Sequence, residues 1–178
     1  MLDREGPEAL SFRAVARELG MTVGALSRYF RNLADLEDEV AAEIMSELRP
    51  LEAGKDLREQ LLRLGMDWLR INRAHPYLLK IHGTASAAAV ARHIGQGIKV
   101  MVQAGTDFER ALTIYSTVTS LAYAWGAQVA HQGSAAQQAL ISRAFTEEVG
   151  ELAPRMMTLA ATDAESFHRR SFLMVIDG

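Results

Sequence analysis

The pattern of apolar and polar positions predicts two short helices joined by a tight turn over residues 11–32. Ser11 can cap the first helix, and Gly20 ends it, because glycine enters the left-handed C-cap at no steric cost. Thr22 can cap the second helix. The residues expected to face inward at helical spacing are Phe12, Val15, Ala16 and Leu19 in the first helix and Leu26 and Phe30 in the second.

The second helix of this hairpin leaves only small or polar residues and one valine on its outer side, which are Thr22, Val23, Gly24, Ala25, Ser27 and Arg28. A helix-turn-helix places such a surface in the major groove of DNA, although an ordinary helical hairpin would show the same pattern. Local charge favours DNA, because residues 11–32 hold four arginines against one glutamate, a balance of +3 in a chain of net charge −3.

The rest of the chain also has helical spacing, and no alternating strand pattern is found. We therefore predict an all-α protein with a helix-turn-helix head, residues 1–48, and a helical ligand-binding and dimerisation body, residues 49–178. The linker candidate is Pro50 to Lys55. The further helices are predicted from Asn32 to Arg49, Leu57 to Ala74, Ala85 to Ala104, Asp107 to His131 and Ser134 to Ala161, with a short helix opened by Pro76. The tail from Asp163 to Gly178 is predicted to offer a partly packed helix.

The most apolar helix raises the question of a membrane span, because residues 111–130 carry no charge over twenty positions. Its six Ser, Thr and Gln residues are too polar for lipid without packing partners, so we expect no membrane. The helix has two apolar stripes and should be buried on two sides. One chain's core supplies only one partner, which predicts a two-fold homodimer built from Asp107–His131 and Ser134–Ala161.

Composition limits the chemistry that the chain can carry. It contains no cysteine, and its five histidines have no metal-ligand spacing, so no metal and no cofactor are expected. A phosphate-binding glycine loop and a nucleophile elbow are both missing from the sequence, so we predict no enzyme and no catalytic residue. The start lacks the apolar core of a signal peptide, which indicates the cytoplasm.

Several aromatic residues lie in the helices after the linker. Core packing explains most of them, but tyrosine and tryptophan also carry polar tips suited to a ligand cavity, and both interpretations stay open. The candidate ligand-binding residues are Trp68, Tyr77, Met101, Tyr115, Thr119 and Tyr123.

The run SFRAVARELGMTVGALSRYFRNLADL, residues 11–36, resembles the DNA-binding motif of TetR-type transcriptional repressors. The resemblance implies that Arg13 and Thr22 to Ala25 lie near base edges, and that Ser27 and Tyr29 lie near the sugar-phosphate backbone. Ser27 stands where that family usually has tyrosine and Leu33 where it usually has lysine, which puts affinity in doubt more than fold. Arg28 completes the candidate DNA-binding set.

The expected function is a sequence-specific DNA-binding transcriptional regulator, a repressor that a small apolar ligand releases from a palindromic operator. The alternative is a dimeric helical ligand-binding or interaction protein with weak or lost DNA binding, which Ser27, Leu33 and the acidic run Asp35–Glu39 favour. The resemblance also calls for a full helix ahead of the hairpin. Only Met1 to Arg4 precede Glu5-Gly6-Pro7, so the chain is expected to lack the start of that helix.

Overall fold

The computed structural model describes residues 9–75, 78, 83–130, 143, 147, 150 and 164–178. Over this part of the chain every regular element is a helix, which confirms the all-α prediction. The predicted helix Ser134–Ala161, the residues before the hairpin and the short helix opened by Pro76 lie outside it, apart from a few isolated positions. The helices are α1 (Phe12–Glu18), α2 (Val23–Leu26), α3 (Leu33–Ser46), α4 (Leu57–Ala74), α5 (Thr84–Gln103), α6 (Phe108–Ala130) and α7 (Ala164–Asp177).

The first three helices begin where the capping residues predict. Ser11, Thr22 and Asn32 each have extended backbone and accept a hydrogen bond from the backbone N–H three residues later, over 3.1, 3.1 and 2.9 Å. Gly20 has φ of 65°, in the left-handed region. This conformation allows the chain to turn sharply from α1 into α2.

Helix α4 lies at the centre of the body. It packs more extensively against α6 than any other two described helices pack together, and α7 covers it as well. Close helix contact depends on small residues, since a Cβ at Gly97 of α5 would collide with the ring of Tyr115. The core includes Leu61, Leu64, Trp68, Leu69 and Ile71 of α4, Val100 and Met101 of α5, Ala111, Tyr115, Val118 and Ala122 of α6, and Phe172 and Ile176 of α7.

Helix α3 follows the hairpin directly and packs against the body. Its later turns place Ala41 and Met45 in the core of the body. Near its middle, the Asp38 carboxylate accepts hydrogen bonds from the backbone N–H groups of Ala85 and Ser86, over 2.7 and 2.9 Å, at the start of α5. The carboxylate thus satisfies free N–H groups at a helix N-terminus, where negative charge is favourable. The domain boundary at residue 48 stays a prediction.

The C-terminal segment forms the partly packed helix that its sequence predicts. It forms the 14-residue helix α7, in which Phe172 is fully buried against the backbone of Gly65 and the ring of Trp125. Asp177 also accepts two hydrogen bonds from Arg58, over 2.6 and 2.7 Å. The helix was predicted, but its partners in α4 were not, because Arg58 and Gly65 lie more than a hundred residues earlier in the chain, beyond the reach of a local pattern.

Candidate nucleic-acid interface and ligand cavity

The outer surface of α2 is exposed, as its pattern predicts. Val23 is 42% exposed, and a Cβ added at Gly24 would meet no atom within 4 Å. Leu26 is only 2% exposed and holds the helix against α1. The outer side of α2 is therefore free to approach another surface closely. Ala25, which the sequence also placed outside, is half-buried.

Leu19 does not take the inward position that its spacing predicts, because it is 59% exposed. It directly precedes Gly20, where the chain leaves the helix, so helical spacing no longer fixes its direction. The exposed apolar residues of the hairpin and its flanks are Leu19, Met21, Val23 and Tyr29.

Three of the four arginines of the hairpin stay available to a ligand. Arg13, Arg17 and Arg28 are exposed and have no ion-pair partner among the described residues. Arg31 differs, because its guanidinium donates to both carboxylate oxygens of Asp35, over 2.7 and 3.1 Å. These hydrogen bonds hold the pKa of Asp35 below its usual value. The exposed positive charge of the hairpin that is not already paired therefore comes from Arg13, Arg17 and Arg28.

The hydroxyl groups near α2 differ in what they can still donate. Ser27 Oγ donates to the carbonyl oxygen of Val23 over 2.9 Å, so its hydrogen is already used. Thr22 Oγ1 acts as an acceptor at the start of α2 and keeps its own hydrogen. Tyr29 is 75% exposed, and its hydroxyl has no partner among the described residues. Tyr29 is thus better placed than Ser27 to donate to a phosphate.

Two carboxylates of the acidic run Asp35–Glu39 already bind other groups of the protein. Asp35 pairs with Arg31, and Asp38 binds the start of α5. Of the other carboxylates, Glu37 is half-buried and Glu39 is exposed. The run therefore repels a nearby phosphate less than its sequence suggests.

A cavity of about 670 Å³ lies in the body, between α3, α4, α5 and α6. Such a volume is within the range of small-molecule sites. Two predicted ligand-binding residues, Trp68 and Tyr123, contribute to its wall. The described residues that line it are Ala41, Met45, Trp68, Asn72, Leu78, Gly83, Ser86, Ala87, Val90, Ala91, Ile94 and Tyr123.

The other predicted ligand-binding residues lie elsewhere. Thr119 lines a smaller cavity of about 250 Å³ that shares Trp68 and Tyr123 with the first one. Met101 and Tyr115 are each 1% exposed, belong to the core and line neither cavity. Burial raises the pKa of Tyr115, as expected for a phenol inside a core. Tyr77 lies outside the described residues.

Asn72 is the wall residue that sequence reasoning missed. It follows Trp68 by four positions, so it lies on the same face of α4. The signal was present in the sequence as a polar residue directly after Ile71 on an otherwise apolar face. Asn72 is 1% exposed, and α6 approaches it closely, since a Cβ at Gly126 would collide with it.

Comparison with known proteins tests the head first. Residues 1–40 match the family model described as "Bacterial regulatory proteins, tetR family". The head is similar to that of TetR-type regulators. The match contains the exposed α2 and the three free arginines, and it supports a DNA-binding transcription regulator. No protein of curated function matches the chain in sequence.

Two solved structures have a similar fold. A TetR variant from Acinetobacter baumannii in complex with minocycline has a TM-score of 0.65 and 19% identity, covering 99% of this chain and 88% of that one. A Streptomyces coelicor protein assigned as a transcription regulator has a TM-score of 0.51 and 19% identity, covering 99% and 87%. Within the described residues, no helix is both long and apolar enough to cross a membrane.

Proposed function

We propose that this protein is a sequence-specific transcriptional repressor that binds a palindromic operator as a homodimer and is released by a small apolar ligand. One observation carries the proposal. An exposed recognition helix, flanked by three arginines without ion-pair partners among the described residues, lies in a stretch that matches the tetR family. Double-stranded DNA is thus the proposed partner and the cytoplasm the proposed location, and no catalytic activity, cofactor or metal is proposed.

The exposed groups suggest separate roles in DNA recognition. Arg13 and the residues from Thr22 to Ala25 would face base edges, where an arginine can donate two hydrogen bonds to guanine. Arg28 and Tyr29 would contact phosphates, since both are exposed donors without described partners. Ser27 would join them only by exchanging its bond to Val23 for one to DNA.

Exposed apolar surface on the body supports the homodimer. Phe108 and Leu112, one turn apart at the start of α6, are 58% and 41% exposed, and Met174 of α7 is 78% exposed. Large apolar groups in water favour an interface. The proposed interface consists of Asp107–His131 and Ser134–Ala161, and most of the second segment lies outside the described residues.

Helix α3 supplies a physical route from ligand to DNA. Ala41 and Met45 form part of the cavity wall, and the same helix begins directly after the hairpin. A ligand that fits the cavity better with α3 in one position shifts the population of head positions by that difference in affinity. The complex of the Acinetobacter TetR variant with minocycline supports a small-molecule site in this fold.

The experiment is selection of bound sequences from random and genomic DNA by the purified protein. We expect an enriched two-fold symmetric sequence with half-sites about 10 base pairs apart, or a multiple of that spacing. A reporter promoter that carries the sequence should be repressed by the protein. A folded preparation that enriches no sequence would contradict the proposal.

The alternative, a dimeric ligand-binding or interaction protein with weak or lost DNA binding, is favoured by three observations. Ser27 already donates its hydrogen within the protein, and Leu33 offers no charge at the start of α3. Arg31 is also engaged by Asp35. Under this alternative the body would bind ligand and dimerise normally, while the head would show no preference among DNA sequences.

A further inference from the structure

The exposed side of α2 offers few groups that can form hydrogen bonds with a base. Of the residues from Thr22 to Ala25, which would face base edges, only Thr22 has a polar side chain. Its Oγ1 already accepts a hydrogen bond from the Ala25 N–H over 3.1 Å, and it keeps only its own hydrogen to donate. Ser27, one turn later, donates its hydroxyl hydrogen to the Val23 carbonyl oxygen. Since hydrogen bonds are the main means of telling base edges apart in the major groove, α2 needs another means of recognising a base.

The hairpin instead exposes apolar side chains. Among the described residues, nine large hydrophobic side chains are exposed, and four of them lie between Leu19 and Tyr29. Single exposed apolar residues are normal on a protein surface, but a concentration of them in one short stretch indicates an interaction surface. Val23 is the member of this group that belongs to α2 itself, and it is 42% exposed.

Gly24, the next residue of α2, has no reason for its small size within the described part of the chain. Glycine weakens a helix. The backbone φ of Gly24 is not positive, unlike that of Gly20, and a Cβ added to it would meet no atom within 4 Å. A missing side chain on an exposed helix allows another surface to approach the backbone closely. Gly24 would thus allow a surface that binds α2 to come into contact with Val23.

The surface that meets α2 is expected to be anionic, because the hairpin exposes Arg13, Arg17 and Arg28 without ion-pair partners among the described residues. DNA combines such charge with one apolar group in its major groove, the 5-methyl group of thymine. Cytosine lacks this methyl group, and purines present hydrogen-bonding atoms that valine cannot satisfy. The chemistry of Val23 therefore matches thymine.

We infer that Val23 selects a thymine in each half-site of the operator by packing its methyl groups against the 5-methyl group of that base. The inference rests on the proposed DNA-binding function and names a base that the operator must contain. Arg13 would supply hydrogen bonds to a base, which α2 largely lacks, whereas Val23 would supply apolar contact.

The test removes the methyl group from the DNA before it changes the protein. The sequence selected by the full chain is prepared as a duplex, and each thymine of one half-site is replaced in turn by deoxyuridine. Deoxyuridine keeps the base pair but lacks the 5-methyl group. Titration of the wild-type chain by fluorescence anisotropy should show about fourfold weaker binding when the thymine that Val23 contacts is replaced, the value of one buried methyl group.

Two variants at exposed positions assign that loss to α2. In Val23→Ala, the thymine and deoxyuridine duplexes should bind about equally at this position, because the valine methyl groups are gone. Gly24→Ala should also reduce the preference for thymine, because the added methyl group holds α2 away from the base.

The matched controls are Val102→Ala and Gly95→Ala, which make the same changes in α5 of the body. Val102 is also 42% exposed, and a Cβ at Gly95 would also meet no atom within 4 Å. Both controls should keep the wild-type preference for thymine. Thermal unfolding of each variant establishes that it is folded.

Wild-type binding that no deoxyuridine substitution weakens would overturn the inference. So would a preference for thymine that Val23→Ala retains in full. A selection that enriches no sequence would contradict the proposed function itself, and the inference would fall with it. If a sequence is enriched but Val23→Ala distinguishes thymine from deoxyuridine as the wild type does, the function stands and the role of Val23 is wrong.

Discussion

The head and the body of this protein are both built from helices, but they differ in how much hydrophobic surface they bury. The described hairpin and the start of α3 bury only four hydrophobic residues, Leu10, Ala16, Leu26 and Leu36, and none of these joins the main core. The body buries a continuous cluster that extends from α3 to α7. A helix that contacts DNA cannot be covered by its own chain, so the head buries little of its apolar surface. In the body, the packed helices surround a cavity.

The difference predicts that the two regions respond separately to lost packing. Leu64→Ala in the body should lower the free energy of unfolding by about 2–5 kcal/mol, because Leu64 is fully buried. Leu26→Ala in the head should leave the unfolding transition seen by tryptophan fluorescence nearly unchanged, since both tryptophans lie in the body. The head variant should nevertheless lose specific DNA binding. A single shared transition shifted equally by both variants would contradict the separation.

Two glycines of α5 test how closely this helix must approach α6 in the body. Gly97→Ala should destabilise it by about 1–3 kcal/mol, because the new methyl group would press into the buried Tyr115 ring. Gly95→Ala is the matched control, with no atom near the added group. It should stabilise the helix by up to about 1 kcal/mol. Denaturant unfolding measures both, and equal effects would mean that the close approach of α5 and α6 is not needed.

Two variants that each remove one positive charge test the contact between the head and DNA. Arg28→Ala should weaken binding to all DNA sequences and reduce the slope of log K against log salt by about 1, since one phosphate contact is lost. Arg92→Ala removes the same charge from an exposed position in the body and should leave the slope unchanged. The comparison separates a local contact from the effect of net charge, and equal slopes for the two variants would exclude the contact.

The link between the regions is tested at Asp38. Asp38→Asn should cost about 0.5–2 kcal/mol of stability, because the charged cap of α5 is lost. It should also reduce the effect of a cavity ligand on DNA affinity. Glu39→Gln removes a neighbouring exposed charge and serves as control. If ligand and DNA binding stay fully coupled in Asp38→Asn, the signal passes through Ala41 and Met45 alone.

The smallest expected effect is a pH dependence confined to the body. Burial, with a smaller contribution from the Arg63 charge, lowers the pKa of His93. The unfolded chain then binds a proton more readily than the folded one, so stability should fall as pH drops below about 6.5. His93→Asn should flatten this part of the profile. Thermal unfolding between pH 5 and 8 checks it, and an unchanged profile in the variant would assign the dependence to another group.

The sequence predicted what depends on a few neighbouring residues. The caps at Ser11 and Thr22 and the turn at Gly20 each involve groups within about four positions, so propensity and spacing sufficed. The contact of Asp38 with α5 spans 47 residues, and the burial of Phe172 depends on Gly65. No local pattern carries such information.

The cavity shows the same limit. Aromatic residues were reasonable candidates, and among those the structure describes, Trp68 and Tyr123 line the larger cavity, while Tyr115 fills the core. Which aromatic side chains face the cavity depends on how four helices pack together. The spacing of residues within one helix does not determine that packing. The fold could therefore be predicted more completely than the candidate site.

The measurement that most directly tests the account is a salt titration of the wild-type chain and Arg13→Ala on the selected sequence and on a scrambled one. We predict that log K falls by about 0.9 per decade of salt for each phosphate contacted, with at least 10³-fold preference for the selected sequence. Arg13→Ala should lower that preference by about 1–3 kcal/mol at one base pair. Equal affinity for both sequences, or no binding by a folded dimer, would contradict the claim that the head reads DNA.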